Sequence, residues 1–111
     1  MNAGDMVLTP LPQADGRLKP RPAVLLKKMP PFGDWLVCGV STQLQQEVAG
    51  FDDIIDPSDP GFPGSGLKAP SLIRLGFLAV LPEDQLLGIL GSISGERHRA
   101  LMSRLSKFLA A

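Results

Sequence analysis

Apolar and polar residues along this 111-residue chain alternate in short bursts cut by proline and glycine, a pattern of strands and turns. Asp5 to Pro10 reads as a first strand, and Pro12 to Pro20 as a turn-rich loop with Asp15-Gly16 at its tip. Pro22 to Lys28 is a second strand whose centre, Ala23-Val24-Leu25-Leu26, is apolar at every position. Trp35 to Val40 follows as a third, where Gly39 predicts a bulge or a close backbone approach. Phe51 to Asp56 reads as a short edge strand fenced by charge, and Pro57 to Gly66 as a loop. Pro70 to Arg74 and Gly76 to Leu81 read as two strands broken at Gly76, before a turn at Pro82–Gln85 and a last strand over Leu86 to Ile93.

The period then changes. Leu101, Met102, Leu105, Phe108 and Leu109 share one helical face, with Ser94 placed to cap the helix and Arg97, Arg99, Arg104 and Lys107 mostly off the stripe. His98 lies one turn before Leu101 and reads as a packed or interface histidine. Six or seven short strands closed by one amphipathic helix predict a mainly β fold with a C-terminal helix, a small barrel or sandwich. The helix face is expected to cover a sheet end or to pair with a second subunit.

Composition sharpens this picture. The length suits one domain, and 44% hydrophobic with 20% charged residues is a globular balance. No apolar run approaches the ~20 residues of a membrane span, and Met1–Asp5 lacks a basic and apolar leader, so a cytoplasmic protein is expected. A lone cysteine, Cys38, excludes an internal disulfide and reads as a buried, inert thiol. With one histidine, one cysteine and no tyrosine, metal ligation at familiar spacings is ruled out, and catalysis would rest on Arg, Lys, Ser, Thr, Asp or Glu.

Formal charge is zero, yet it is segregated. Arg17, Lys19, Arg21, Lys27 and Lys28 form a stretch without acids, and Asp52, Asp53, Asp56 and Asp59 one without bases. The acidic run reads as a solvated surface. In the basic stretch, Pro20 and Pro22 stiffen the backbone around Arg21 at the mouth of the second strand. Arg21 is either a solvated loop arginine or a guanidinium held out for a phosphate, for which its planar fork and fixed charge are suited.

The order of these segments resembles the MazF/PemK-like toxins of bacterial toxin–antitoxin systems over nearly the whole chain. The residues that carry the likeness are Gly4-Asp5-Met6-Val7-Leu8, Lys19-Pro20-Arg21-Pro22-Ala23-Val24-Leu25, Val37-Cys38-Gly39-Val40-Ser41-Thr42-Gln43, Gly66-Leu67-Lys68 with Ser71-Leu72-Ile73-Arg74, and Leu90-Gly91-Ser92-Ile93. The resemblance implies one domain over residues 1–111 with an SH3-like small β-barrel of the CcdB/MazF/PemK type. It implies a homodimer, a cognate antitoxin, and a cofactor-free, metal-independent endoribonuclease. Such an enzyme cleaves single-stranded RNA through its 2′-hydroxyl, leaving a 2′,3′-cyclic phosphate and a 5′-hydroxyl.

On this likeness Arg21 would stabilise the phosphorane and Ser41 would hold the scissile phosphate, with Lys19, Thr42, Gln43 and Lys68 as RNA contacts. Phe32 and Trp35 flank the neighbouring loop and offer a stacking face, although core packing or a dimer contact is the use expected of either. An Arg-x-Asp pair of some relatives is aligned with Leu67-Lys68-Ala69, where its carboxylate is missing, and the first loop lacks their histidine. The Pro57–Gly66 loop is expected to shape a groove for RNA or antitoxin. Two other functions fit the same architecture: a CcdB-like gyrase poison, and a degenerate toxin retained as a nucleic-acid or protein binder.

Overall fold

The computed structural model describes residues 1–111. Six strands, β1 (Asp5–Pro12), β2 (Leu18–Met29), β3 (Asp34–Ser41), β4 (Asp53–Ile55), β5 (Ser71–Leu81) and β6 (Gly88–Ser92), precede one helix, α1 (Gly95–Ala110). The strands form an antiparallel sheet in the order β4-β5-β3-β2-β1-β6, curled into a half-barrel. No helix is long and apolar enough to cross a membrane.

The continuous apolar run of β2 is explained by what lies on each side of it. Val24 and Leu26 join Met6, Cys38, Val40, Ile73 and Leu75 in one core cluster, which Leu101 and Leu105 of α1 cover. Ala23 and Leu25 face the other way, into a second cluster with Val7, Leu11, Trp35, Val37 and Leu86. Period-two alternation therefore persists, but both faces are dry, so polar residues are excluded from the strand centre. Fully burying a Leu or Val contributes about 1.5–3 kcal/mol.

Strands β2 and β5 are longer than the sequence pattern predicts, and the two segments on either side of Gly76 are one strand. The break survives as a register shift. Cys38 of β3 pairs with Leu78 of β5, but Gly39 pairs with Arg74, leaving Leu75, Gly76 and Phe77 as extra residues. Gly39 allows this in the way its position suggested, since a Cβ there would stand 3.3 Å from Phe77 Cγ. The Pro57–Gly66 loop docks on β6. Side chains at Gly66 or Gly91 would collide with backbone of Leu90 or of Gly64 and Ser65, and Gly66 has φ +76°.

Helix α1 starts where expected, with Ser94 Oγ accepting from Arg97 N–H at 3.1 Å. Its apolar stripe divides. Leu101 and Leu105 are buried within the monomer, while Phe108 and Leu109 at the last turn are exposed. Phe108 rests on Phe51, with ring centroids 4.8 Å apart. His98 is packed, its Nε2 2.8 Å from the Leu26 carbonyl oxygen.

The acidic run is not a solvated surface. Asp52 is buried, and its carboxylate accepts from Val48 N–H at 2.9 Å and from Leu75 N–H, inside the β5 bulge, at 3.0 Å. Arg97 of α1 reaches Asp53 and Asp59, and Arg104 donates to the Asp52 carbonyl. Ser58 donates to Asp56 and holds its carboxyl below the ordinary range. The sequence places these arginines roughly forty to fifty residues from their acidic partners, so linear charge counting separates groups that the fold brings together.

Candidate nucleic-acid interface

The ends of β1, β2 and β3 meet beside the β5 bulge and leave a cavity of about 250 Å³. Strands β2 and β3 pair Ala23 with Gly39, and two residues further on each strand reaches Arg21 and Ser41, which both line this cavity. Gln13, Thr42, Gln43, Gln46, Arg74 and Phe77 contribute to the same walls. Two guanidinium groups thus face one space whose lining contains no carboxylate, imidazole or thiolate.

Arg21 is exposed and pairs across the ladder with Thr9. Its only side-chain partner is neutral: Nη2 donates to Gln13 Oε1 at 3.3 Å, a weak bond by length. The charge is therefore directed but not neutralised. Ser41 Oγ accepts from Gln43 N–H at 3.0 Å, which orients the hydroxyl and leaves its proton to be donated. Thr42 and Gln43 follow on the cavity rim, both exposed.

The other proposed contacts lie elsewhere. Lys19 lines a separate shallow depression with Gln13, Ala14, Asp15, Arg17 and Leu18. Lys68 is exposed in the segment before β5 and is outside the cavity lining. The docked Pro57–Gly66 loop supplies none of the lining either. Trp35 is a core residue, its Nε1 donating to Glu83 at 3.4 Å with Lys28 Nζ 5.9 Å from the ring centroid. Phe32 is exposed on the β2–β3 hairpin. Cys38 is fully buried and its thiol is pushed up to about 12, first by desolvation, so it is no nucleophile.

Arg74 and Phe77 line the same cavity and were not among the site residues expected from the sequence. Leu67-Lys68-Ala69 is not strand, and the arginine that reaches the cavity is Arg74, in the triplet Arg74-Leu75-Gly76 of β5. The third residue of that triplet is Gly76. The Gly76 break was the available signal, since a bulge redirects neighbouring side chains.

A cavity that combines guanidinium groups without acidic partners, two hydroxyls, amides and one aromatic ring suits a phosphate with an attached base. No curated protein matches the chain. A sequence-family model for PemK-like, MazF-like toxins of type II toxin–antitoxin systems matches residues 2–109, and the chain belongs to that family.

Proposed function

We propose that this toxin is an endoribonuclease that cleaves single-stranded RNA at the Arg21–Ser41 cavity without a metal ion. The observation that carries the reading is the pair of guanidinium groups, Arg21 and Arg74, turned into one space with no carboxylate on its walls. Arg97 and Arg104 meet acids on the helix side; at the cavity the guanidinium charge is kept for a ligand.

The chemistry asked of the site is attack by the RNA 2′-oxygen on the adjacent phosphorus, with the bond to the 5′-oxygen breaking. The 2′-hydroxyl gives up its proton to solvent, and the departing 5′-oxygen takes one back. Arg21 donates to the non-bridging oxygens as negative charge grows on them, the step at which such donors act most strongly. Ser41 donates its hydroxyl proton to the same phosphate and fixes its orientation. Thr42 and Gln43 extend the contact along the strand. Lys19 and Lys68, outside the cavity, add at most distant attraction to the RNA backbone.

Family membership implies a neutralising antitoxin. An acidic segment laid over the cavity would meet the same free guanidinium groups as RNA and compete with it. The protein is further proposed to act as a cytoplasmic homodimer. Much of β3 and of the helix stripe is used within the monomer, since β3 is buried from Val37 to Val40 and Leu101 and Leu105 of α1 cover a core. Exposed Leu78 and Val80 of β5, Ile89 and Leu90 of β6, and Phe108 and Leu109 are among the apolar side chains that remain for a second copy.

The test is single-turnover cleavage of a mixed-sequence RNA in EDTA by the wild type and by Arg21→Ala. Cleavage by the wild type alone, with 5′-hydroxyl ends, supports the reading. Equal cleavage by both proteins refutes the assigned site. No cleavage by folded wild-type protein moves the function to gyrase poisoning or to binding without catalysis.

A further inference from the structure

The β5 bulge presents Arg74 and Phe77 to the cavity as a pair. Leu75 between them turns into the core, and its N–H is held by the buried Asp52 carboxylate at 3.0 Å. The Arg74 guanidinium carbon lies 5.5 Å from the Phe77 ring centroid, within cation–π range. The bare backbone of Gly39 lies against Phe77, where an added Cβ would stand 3.3 Å from Cγ and the ring would have to shift. Phe77 is therefore a fixed, half-buried ring, and little freedom is lost when something stacks upon the pair.

Packing alone does not account for this arrangement. Phe77 does contact the second core cluster, yet it also lines a cavity bounded by Ser41, Thr42, Gln43 and Gln46. Arg74 forms no ion pair with any carboxylate. A planar cation on an aromatic face, ringed by amides that both donate and accept, matches a nucleobase more closely than it matches an ordinary peptide side chain.

We propose that Arg74 and Phe77 form a stacking platform for one unpaired nucleobase, purine ahead of pyrimidine, next to the phosphate bound by Arg21. The identification of the ligand as RNA rests on the ribonuclease reading above. Purines gain more because their π surface is larger, and side-chain amides of Gln43 and Gln46 are placed to meet base edges.

The probe is a single-stranded 2′-O-methyl hexanucleotide pool with 2-aminopurine at one central position and random bases elsewhere. It has no attacking hydroxyl, so binding is read without cleavage. Wild-type protein is expected to quench the 2-aminopurine fluorescence on binding. Phe77→Leu, which keeps an apolar side chain, is expected to abolish the quench and weaken binding about ten-fold, within the range for loss of one stacked base. Phe77→Trp should retain both. An abasic unit at the probe position should cost the wild type a similar factor, a comparison that needs no variant to fold.

A purely structural Phe77 would lower the unfolding midpoint in Phe77→Leu while leaving quench and affinity intact, and that result overturns the platform. So does equal wild-type affinity for the abasic and 2-aminopurine probes. Wild type that cleaves RNA but does not quench removes the platform and leaves the nuclease. Wild type that quenches but never cleaves keeps the platform and removes the nuclease.

Discussion

Two groups of arginines in this molecule are used in opposite ways. At the α1–β4 side, Arg97 and Arg104 are spent on structure, tied to Asp53, Asp59 and the Asp52 backbone. At the cavity, Arg21 and Arg74 have no acidic partner and are held by an amide and an aromatic ring instead. The first group closes a charge account within the chain, and the second leaves charge available to a ligand. A guanidinium already neutralised by a carboxylate offers little to a phosphate, so the absence of acids on the cavity walls matters as much as the arginines there.

Asp52 links the two regions, because its carboxylate holds the bulge that aims Arg74 and Phe77 while its carbonyl accepts from Arg104. The difference between the regions can be broken at either end. The largest effect is expected at the cavity: Arg21→Ala should slow single-turnover cleavage by about 100-fold or more, near 3 kcal/mol of transition-state stabilisation. Its urea midpoint should barely move, since exposed substitutions usually change stability by about 0.5 kcal/mol or less. A large loss of stability would place Arg21 with the structural arginines.

Next comes Asp52→Ala. It strands the Leu75 and Val48 N–H donors, one of them buried, and should cost about 2 kcal/mol in urea unfolding. Asp52→Asn keeps one acceptor oxygen and should lose less. If Asp52→Ala unfolds like the wild type, the bulge is held by something other than this carboxylate.

Arg97→Ala is expected to cost about 1 kcal/mol, because its ion pairs are partly exposed. The gap from wild type should narrow in high salt, and cleavage by the folded variant should be unchanged. Cleavage lost together with Arg97 would show that the helix-side charges reach the Arg21–Ser41 cavity.

The smallest effect belongs to Asp56. Its carboxyl is held below the ordinary range chiefly by the Ser58 side chain. A depressed folded value contributes stability above the unfolded carboxylate pKa and loses it as pH falls through the folded value. Ser58→Ala should therefore raise the Asp56 titration midpoint in a carboxyl NMR titration and flatten the acid limb of stability slightly. An unmoved midpoint would assign the depression to the backbone bond from Ser58 or to Arg97.

Much of the scaffold was legible in sequence because it depends on local rules. Short apolar runs cut by proline and glycine placed β1, β2 and β3, Ser94 marked the helix start, and Gly39 marked a close approach, each a consequence of backbone geometry within a few residues. Arg21 and Ser41 were legible through their strand-mouth setting and family resemblance. Lys68 and the Pro57–Gly66 loop were assigned to the site by their position in the chain, and the fold carries them away from the cavity.

Sequence by itself determined the strand pattern, the capped helix, the apolar centre of β2 and the stiffened presentation of Arg21. Only tertiary structure decided which charges are neutralised and which are free. Arg97 meets Asp53 from 44 residues away, and the bulge that brings Arg74 and Phe77 to Arg21 is pinned by Asp52, which lies 23 residues before Leu75. Pairing of that kind depends on sheet register and helix docking, which are set by the whole core at once, so no local window of the chain contains it.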